Sequence, residues 1–166
     1  ILWPVEPLAE NINDCSIVVH VLYGEFSALL AGDIEGPSEQ ALIKAGSLSP
    51  ATALKVAHHG SDTSTTAAFL GIVRPAVAII TAGAGNSYGH PTANVLARLK
   101  TSGVKVYRTD LDGTVSVKTD GKSWQVETER NDGSKAAPTP APTPTSGTGQ
   151  KYYGSRNSNV FHYAWC

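Results

Sequence analysis

Cysteine, charge and methionine are all scarce in this sequence. Its 166 residues include two cysteines and no methionine, and 16% of them are charged. Cys15 and Cys166 lie too far apart in the chain to indicate a disulfide framework. Thirteen basic and 14 acidic residues give a formal net charge of -1. This balance excludes the strongly basic surface of a general nucleic-acid or anionic-membrane binder. A polyanionic substrate would have to be held locally, by metal or by a few cations.

Long apolar runs are missing as well. No run approaches the roughly 20 residues that a membrane-spanning helix needs, and no basic and then apolar signal peptide begins at Ile1. The chain starts without methionine on Ile-Leu-Trp-Pro and ends on Trp-Cys. We therefore expect it to be a piece of a longer protein, so the lack of a leader carries no information.

Residues 1–129 have the pattern of one α/β domain. Their β-branched and apolar runs predict strands at 17–23, 26–30, 53–56, 77–80, 105–109, 114–118 and 124–128. Helices are predicted at 37–45, at 65–73 and from Pro91 to Gly103. Gly24-Glu25 predicts a hairpin turn between the first two strands, and turns at 112–113 and 120–121 separate the last three. Strands that alternate with helices predict a layered α/β fold.

The composition changes after this domain. Residues 130–150 are rich in Pro, Thr and Ser, which predicts an extended, disordered linker. Residues 151–166 are aromatic-rich and too few to bury a core, so they indicate a truncated C-terminal module. His162 and Cys166 in this tail have the spacing of half a zinc site, and an equally good interpretation is the start of a small module without metal.

Two adjacent histidines, His58 and His59, follow the predicted strand 53–56 directly. Side chains at the end of a buried strand are held rigidly and still open onto a loop, as a metal ligand or a catalytic base requires. Consecutive residues on a strand point to opposite faces, so both can face one site only if the backbone turns, for which Gly60 is the candidate. The alternative is purely structural, because residues 61–64 are all good N-caps for the helix that follows.

Asp33 and His90 follow two other predicted strands in the same way. Taken alone, Asp33 is a turn residue after Gly32. Together, however, Asp33, His58, His59 and His90 come to one edge of one sheet, and sites in layered α/β folds collect at the carboxyl ends of the strands. Carboxylate and imidazole groups are ligands for Zn²⁺ or Mn²⁺, and an aspartate can bridge two such ions. The pattern therefore predicts a metal site.

Several short motifs carry a resemblance to a known family. In order, they are Asn-Asp-Cys-Ser-Ile-Val at 13–18, Leu-Ala-Gly-Asp-Ile-Glu at 30–35, Leu-Lys-Val-Ala-His-His-Gly-Ser at 54–61, Asn-Ser-Tyr-Gly-His-Pro at 86–91, and Val-Tyr-Arg-Thr-Asp at 106–110 with Gly113. The sequence over residues 1–129 resembles the metallo-β-lactamase superfamily, and within it the soluble domain of ComEC-type DNA-uptake competence proteins.

The resemblance implies an αββα sandwich, a hydrolytic site with two Zn or Mn ions and, for the competence branch, action on the phosphodiesters of DNA. Asp33 would bridge the two ions, and His58 and His90 would be ligands. His58 and His59 would also be the catalytic histidines, with one of them at the metal and the other at the leaving group; spacing does not assign them. Side chains expected to support these ligands by hydrogen bonds are Asn13, Ser61 and Asn86.

One part of the superfamily pattern is absent. The motif His-x-His/Asp-x-Asp-His, which supplies most ligands of the first metal, does not occur in the 166 residues. We therefore expect this chain to be the C-terminal half of the domain, inactive by itself, with the N-terminal half as its partner. Two alternatives stay open: hydrolysis of another ester or amide, and an inactive scaffold tethered to a surface by the linker. The tail resembles segments that follow secreted nucleases, which suggests an extracellular or cell-surface location.

Overall fold

A computed structural model describes residues 1–4 and 10–130 of the chain. The strands are β1 (Val19–Tyr23), β2 (Phe26–Leu30), β3 (Ala53–Lys55), β4 (Val77–Ile80), β5 (Lys105–Arg108), β6 (Val115–Thr119) and β7 (Trp124–Thr128). The helices are α1 (Gly36–Lys44), α2 (Ala67–Val73), α3 (Ala93–Thr101) and the one-turn α4 (Thr109–Asp112), and short 3₁₀ turns form at Asn13–Cys15 and Ala57–Gly60.

Five of the strands form one sheet in the order β1-β2-β3-β4-β5. β1 and β2 are the predicted hairpin, antiparallel with Val19 opposite Leu30, and Gly24 adopts the positive φ of 60° that the tight turn requires. From β2 to β5 the strands run parallel. Their carboxyl ends therefore meet at one edge, which is where Asp33 and the histidines follow them.

One face of this sheet is covered by α1, α2 and α3. Each crossover adds the next strand on the same side of the previous one, and right-handed crossovers in that direction place every helix on the same face. The resulting core is fully buried at Phe69 of α2 and at Leu29 and Leu54 of the sheet, and Leu42 of α1 and Leu99 of α3 join it. Burying each of these side chains contributes about 1.5–3 kcal/mol.

A two-stranded ribbon covers the other face. β6 and β7 pair antiparallel, and Trp124 and Val126 of this ribbon belong to a second buried cluster with Phe26, Val77 and Tyr107 of the sheet. Side chains of β4 alternate between the two clusters, which explains why its run is entirely apolar. The fold is thus mixed α/β with a mostly parallel sheet, as predicted. The αββα sandwich stays a prediction, because the described second layer is this ribbon alone.

Several predicted boundaries differ from the structure by one or two residues, and the differences at α2, α3 and residues 109–112 have identifiable causes. α2 is capped by Thr66, whose hydroxyl accepts a hydrogen bond from the amide of Phe69 (3.2 Å), so residues 61–64 are not its N-cap. α3 begins after Thr92, whose hydroxyl accepts from the amide of Val95 (3.4 Å), and Pro91 lies outside the helix. The third difference is at 109–112, where α4 replaces the predicted strand end and turn.

The predicted linker and tail lie outside the described residues, apart from Arg130. His162 and Cys166 lie there too. Within residues 1–4 and 10–130, no helix has the length and hydropathy needed to cross a membrane.

Candidate functional site

The histidine pair lies on a strained backbone turn. His58 has φ 45° and ψ 44°, and His59 has φ 54° and ψ 20°, both in the left-handed region that residues with a side chain rarely adopt. The sequence suggested Gly60 as the turning point, whereas the turn already begins at His58. Its geometry is fixed by hydrogen bonds from the amide of His58 to the carbonyl of Gly32 (3.1 Å) and from the amide of Thr92 to the carbonyl of Gly60 (3.0 Å).

His59 faces Asp33. Its Nδ1 lies 2.7 Å from the carbonyl oxygen of Thr81, and because a carbonyl only accepts, Nδ1 carries the proton and donates it. Nε2 is then directed to Asp33, at 3.6 Å from Oδ1. Lys55 Nζ approaches the same carboxylate oxygen at 3.7 Å. The side chains of His59 and Asp33 are 42% and 38% exposed, so a solute can reach the space between them.

His58 lies against a different carboxylate, Glu35. Nδ1 of His58 is 3.0 Å from Oε1 of Glu35, but the imidazole N–H is not aimed at that oxygen, so the contact is a close ion-pair contact without hydrogen-bond geometry. Asn11 Nδ2 (2.7 Å) and the Thr63 hydroxyl (2.9 Å) donate to the Glu35 carboxylate, and Asn13 Nδ2 approaches it at 3.5 Å. Glu35 is therefore the centre of a polar cluster.

Sequence reasoning did not select Glu35 as a site residue. The signal for it was its place two residues after Asp33, because alternate residues of an extended segment point to the same side. Ser61, predicted to support the ligands, contacts this cluster indirectly through its hydroxyl, 3.0 Å from that of Thr63. Asn13, predicted in the same role, belongs to the cluster as described above.

His90 lies at the end of the glycine-rich loop that follows β4. Asn86 holds this loop closed: its Nδ2 donates to the carbonyls of Gly83 (2.9 Å) and His90 (2.6 Å), and its Oδ1 accepts from the His90 amide (3.1 Å). The rings of His90 and His58 meet edge to face with centroids 5.8 Å apart. Burial lowers the pKa of His90, and the neighbouring His58 and His59 lower it further by charge repulsion.

A cleft of 220 Å³ opens beside this loop. It is lined by His59, Ala82, Gly83, Asn86, Tyr88 and His90. The two histidines that line it follow different strands, His59 after β3 and His90 after β4, as the sequence predicted. His59 thus lines the cleft and also faces Asp33.

The donor atoms fit part of a metal site. Two ligands on one tetrahedral ion at about 2.0–2.2 Å lie roughly 3.3–3.5 Å apart, and the 3.6 Å between His59 Nε2 and Asp33 Oδ1 is close to this value. The hydrogen bond from His59 Nδ1 to a carbonyl is the support that metal-bound histidines usually have. Within the described part of the chain, however, no group of three or more His, Cys, Asp or Glu side chains could hold a metal ion.

Of the two histidines, His59 is the one that shares a possible ion with Asp33. The predicted ligands His58 and His90 are neighbours of each other, and Nδ1 of each is buried without a hydrogen-bond partner among the described residues. Their assignment as ligands stays a prediction.

Three bacterial proteins are similar to part of this chain. It is 38% identical over 115 residues to ComE operon protein 3 of Bacillus subtilis, a match that covers 69% of this chain and 15% of that protein. It is 38% identical over 115 residues to competence protein ComA of Neisseria gonorrhoeae, a match that covers 69% of this chain and 17% of that protein. It is 41% identical over 109 residues to recombination protein 2 of Haemophilus influenzae, a match that covers 66% of this chain and 13% of that protein. The chain thus spans less than a fifth of each relative.

No family model matches the chain, and no solved structure matches it either.

Proposed function

We propose, from homology to segments of competence proteins, that this chain acts in DNA uptake, as part of a metal-dependent hydrolase of DNA phosphodiesters. Of the relatives named above, one is called a competence protein, one a ComE operon protein and one a recombination protein. The metallo-β-lactamase superfamily, which the motifs resemble, supplies the proposed class of reaction.

The hydrolase proposal rests on one observation, which is that the side chains of His59 and Asp33 face each other. Since Nδ1 of His59 donates to Thr81, its Nε2 either has a free lone pair or carries the proton of an imidazolium. Opposite it, the Asp33 carboxylate only accepts. A metal ion between these two atoms would be bound by both of them, because a carboxylate oxygen and a neutral imidazole nitrogen are each electron-pair donors. Lys55 at 3.7 Å adds to the positive charge that Asp33 attracts.

In this proposal each residue has a defined action. Asp33 and His59 would hold a Zn or Mn ion, and its remaining ligands would come from residues beyond those described. A bound divalent ion lowers the pKa of water and neutralises charge on the phosphate. Glu35 lies against His58 beside the site, where the His58 imidazole would hold or release a proton at the leaving oxygen. Asn86 fixes the loop that carries His90, which lines the cleft together with His59.

A DNA-uptake role also implies a location. Incoming DNA arrives from outside the cell, so we propose that the chain acts at the cell surface or in the extracellular space. Hydrolysis of another ester or amide uses the same residues and differs only in what enters the cleft. An inactive scaffold is the second candidate, and it is favoured by the lack of a three-ligand group among the described residues.

The test is metal content and hydrolysis in matched variants. Binding of Zn²⁺ and Mn²⁺ is measured by calorimetry, and cutting of labelled single- and double-stranded DNA is measured alongside a thioester and a β-lactam. Asp33→Asn keeps the shape of the side chain and removes its charge, and Glu127→Gln, at an exposed ion pair with Lys118, is the control. All are made both in this chain and in the polypeptide of its complete reading frame.

We expect weak metal binding and negligible hydrolysis for the chain alone, and DNA cutting by the complete polypeptide that Asp33→Asn reduces at least about 100-fold, since the ion would lose a charged ligand. Cutting of the thioester or the β-lactam but not of DNA would favour the other substrates. Metal binding and cutting that are unchanged in Asp33→Asn would rule out the metal site and leave the scaffold.

A further inference from the structure

The loop after β4 exposes one large aromatic side chain, Tyr88. Its relative exposure is 81%, the second highest among the large hydrophobic side chains described. Tyr88 lies on the rim of the cleft, between the glycines of the loop and His90. An exposed ring at this position adds little to folding, because it removes almost no apolar surface from water. What distinguishes it from the other exposed apolar side chains is its place in the cleft beside His59 and His90.

The Tyr88 ring lies alongside the ring of His90. The two rings are nearly parallel, with an interplanar angle of 17° and centroids 6.0 Å apart. The backbone of His90 is held by the Asn86 side chain, which bonds both its amide and its carbonyl. The tyrosine thus stands on a loop closed by hydrogen bonds, with most of its ring open to solvent.

The surroundings of Tyr88 leave room for a flat ligand. A methyl group added at Gly83, Gly85 or Gly89 would meet no atom within 4 Å, so the loop around Tyr88 is not crowded. Among the described residues that line the cleft, none has a carboxylate, ammonium or guanidinium group. A neutral, planar group that can stack is the ligand that this environment favours.

We propose that Tyr88 is a stacking platform for an unpaired nucleobase of single-stranded DNA. The proposal rests on the proposed action on DNA and adds the form of the substrate. Stacking of a base on an aromatic ring is largely independent of sequence, because every base has a π-face. A base on Tyr88 would place its strand along the cleft lined by His59, which faces Asp33. Duplex DNA keeps its bases paired and cannot use this contact.

The experiment measures binding of a labelled oligothymidylate by fluorescence anisotropy, with EDTA present so that no strand is cut and no metal is needed. Tyr88→Ala, Tyr88→Leu and Tyr88→Phe are compared with the parent protein, and circular dichroism checks the fold of each. Tyr23→Ala is the matched control, since Tyr23 is also an exposed tyrosine, 57% exposed, at the opposite edge of the sheet. A second oligomer of the same length carries abasic residues.

We expect Tyr88→Ala and Tyr88→Leu to weaken binding of the oligothymidylate by roughly 5- to 150-fold, and Tyr88→Phe and Tyr23→Ala to keep the parent affinity. The abasic oligomer should bind the parent as weakly as the oligothymidylate binds Tyr88→Ala. Wild-type affinity in Tyr88→Leu would show that only apolar bulk matters and would overturn the platform.

The platform and the proposed function fail in different ways. If Tyr88→Ala binds as tightly as the parent, or the parent does not bind the oligomer, while the complete polypeptide still cuts DNA, the platform is wrong and the function stands. If DNA is neither bound nor cut, both are wrong.

Discussion

His58 and His59 are neighbours in the chain, yet their imidazoles lie against two different carboxylates. His58 is 3.0 Å from Glu35, and His59 is 3.6 Å from Asp33. In a strand, two successive side chains would point to opposite faces of the sheet. Both histidines instead adopt the left-handed conformation, and this turn in the backbone brings each imidazole to its carboxylate. The two imidazoles thus have different surroundings, His58 in the polar cluster of Glu35 and His59 at the carboxylate of Asp33.

The first prediction separates the roles proposed for His58 and His59. His59→Ala should reduce Zn²⁺ affinity by at least about tenfold, because it removes one of two converging donors, whereas His58→Ala should leave that affinity nearly unchanged. Isothermal titration of both variants measures the difference. Equal losses in the two variants would mean that both imidazoles bind the ion, as the motif alone allowed.

The second prediction concerns the backbone that positions the pair. Gly60 has φ 82°, and a methyl group there would lie 2.6 Å from Cβ of Pro91. Gly60→Ala should therefore lower the free energy of unfolding by about 1–3 kcal/mol. Gly71→Ala is the control, since Gly71 lies inside α2 with nothing within 4 Å of its added methyl, and it should raise stability by up to about 1 kcal/mol. Urea unfolding measures both, and a neutral Gly60→Ala would contradict the strain.

The third prediction concerns a buried carboxyl outside the site. Glu39 of α1 is fully buried. Its carboxylate accepts hydrogen bonds from the amides of Thr65 and of Thr66 (2.9 Å) and so connects α1 to the segment before α2. Glu39→Ala would leave both amides without their acceptor and should cost about 1–3 kcal/mol of unfolding free energy. Urea unfolding would detect the loss, and the exposed Glu127→Ala should show almost none.

The same carboxyl gives a pH dependence with a definite sign. Burial raises the pKa of Glu39 above its ordinary value, although its hydrogen bonds and Arg98 oppose this. From the ordinary value of 4.5 up to the raised pKa, the folded protein keeps a proton that the unfolded chain has released. Stability should therefore fall as the pH rises through this window. Glu39→Gln, which imitates the neutral carboxyl, should lack this fall, and parallel slopes for the two proteins would contradict the raised pKa.

The last prediction tests the ribbon. Trp124 is 6% exposed and packs against the face of the sheet that has no helices, so Trp124→Ala should cost about 3–5 kcal/mol. Its indole N–H is buried without a hydrogen-bond partner among the described residues, so Trp124→Phe should cost much less. Denaturation curves decide this, with the exposed Gln125→Ala as control. A small cost for Trp124→Ala would mean that the ribbon is not needed for the fold.

The strands were predictable because their signal is local. β4 and β7 begin and end where the apolar runs indicated, since a strand buried on both faces or on one leaves a direct pattern in the sequence. Helix starts were less predictable, because several polar residues compete for each cap and tertiary contacts choose among them. Thr66 was chosen at α2, where Glu39 of another helix accepts its amide hydrogen bond.

The sequence predicted where the site lies in the fold but not how its side chains are arranged. Strand ends predicted that Asp33 and the three histidines come to one edge, and the structure places them there. The left-handed backbone at His58 and His59 has no local signal, so the division between the two could not be predicted. Glu35 was missed because its partners Asn11 and Thr63 are distant in the chain and join it only through the fold.

The parallel order of the strands also bears on how the site forms during folding. Asp33, His59 and Thr81 follow three different strands, and the contact between His59 and Thr81 alone spans 22 positions. Contacts of such sequence separation form slowly, because the loop must close before the contact stabilises it, whereas the β1–β2 hairpin closes over two residues. The hairpin therefore forms early in folding, and the contacts among Asp33, His59 and Thr81 form late. Until these later contacts form, Asp33, His59 and Thr81 are not held together.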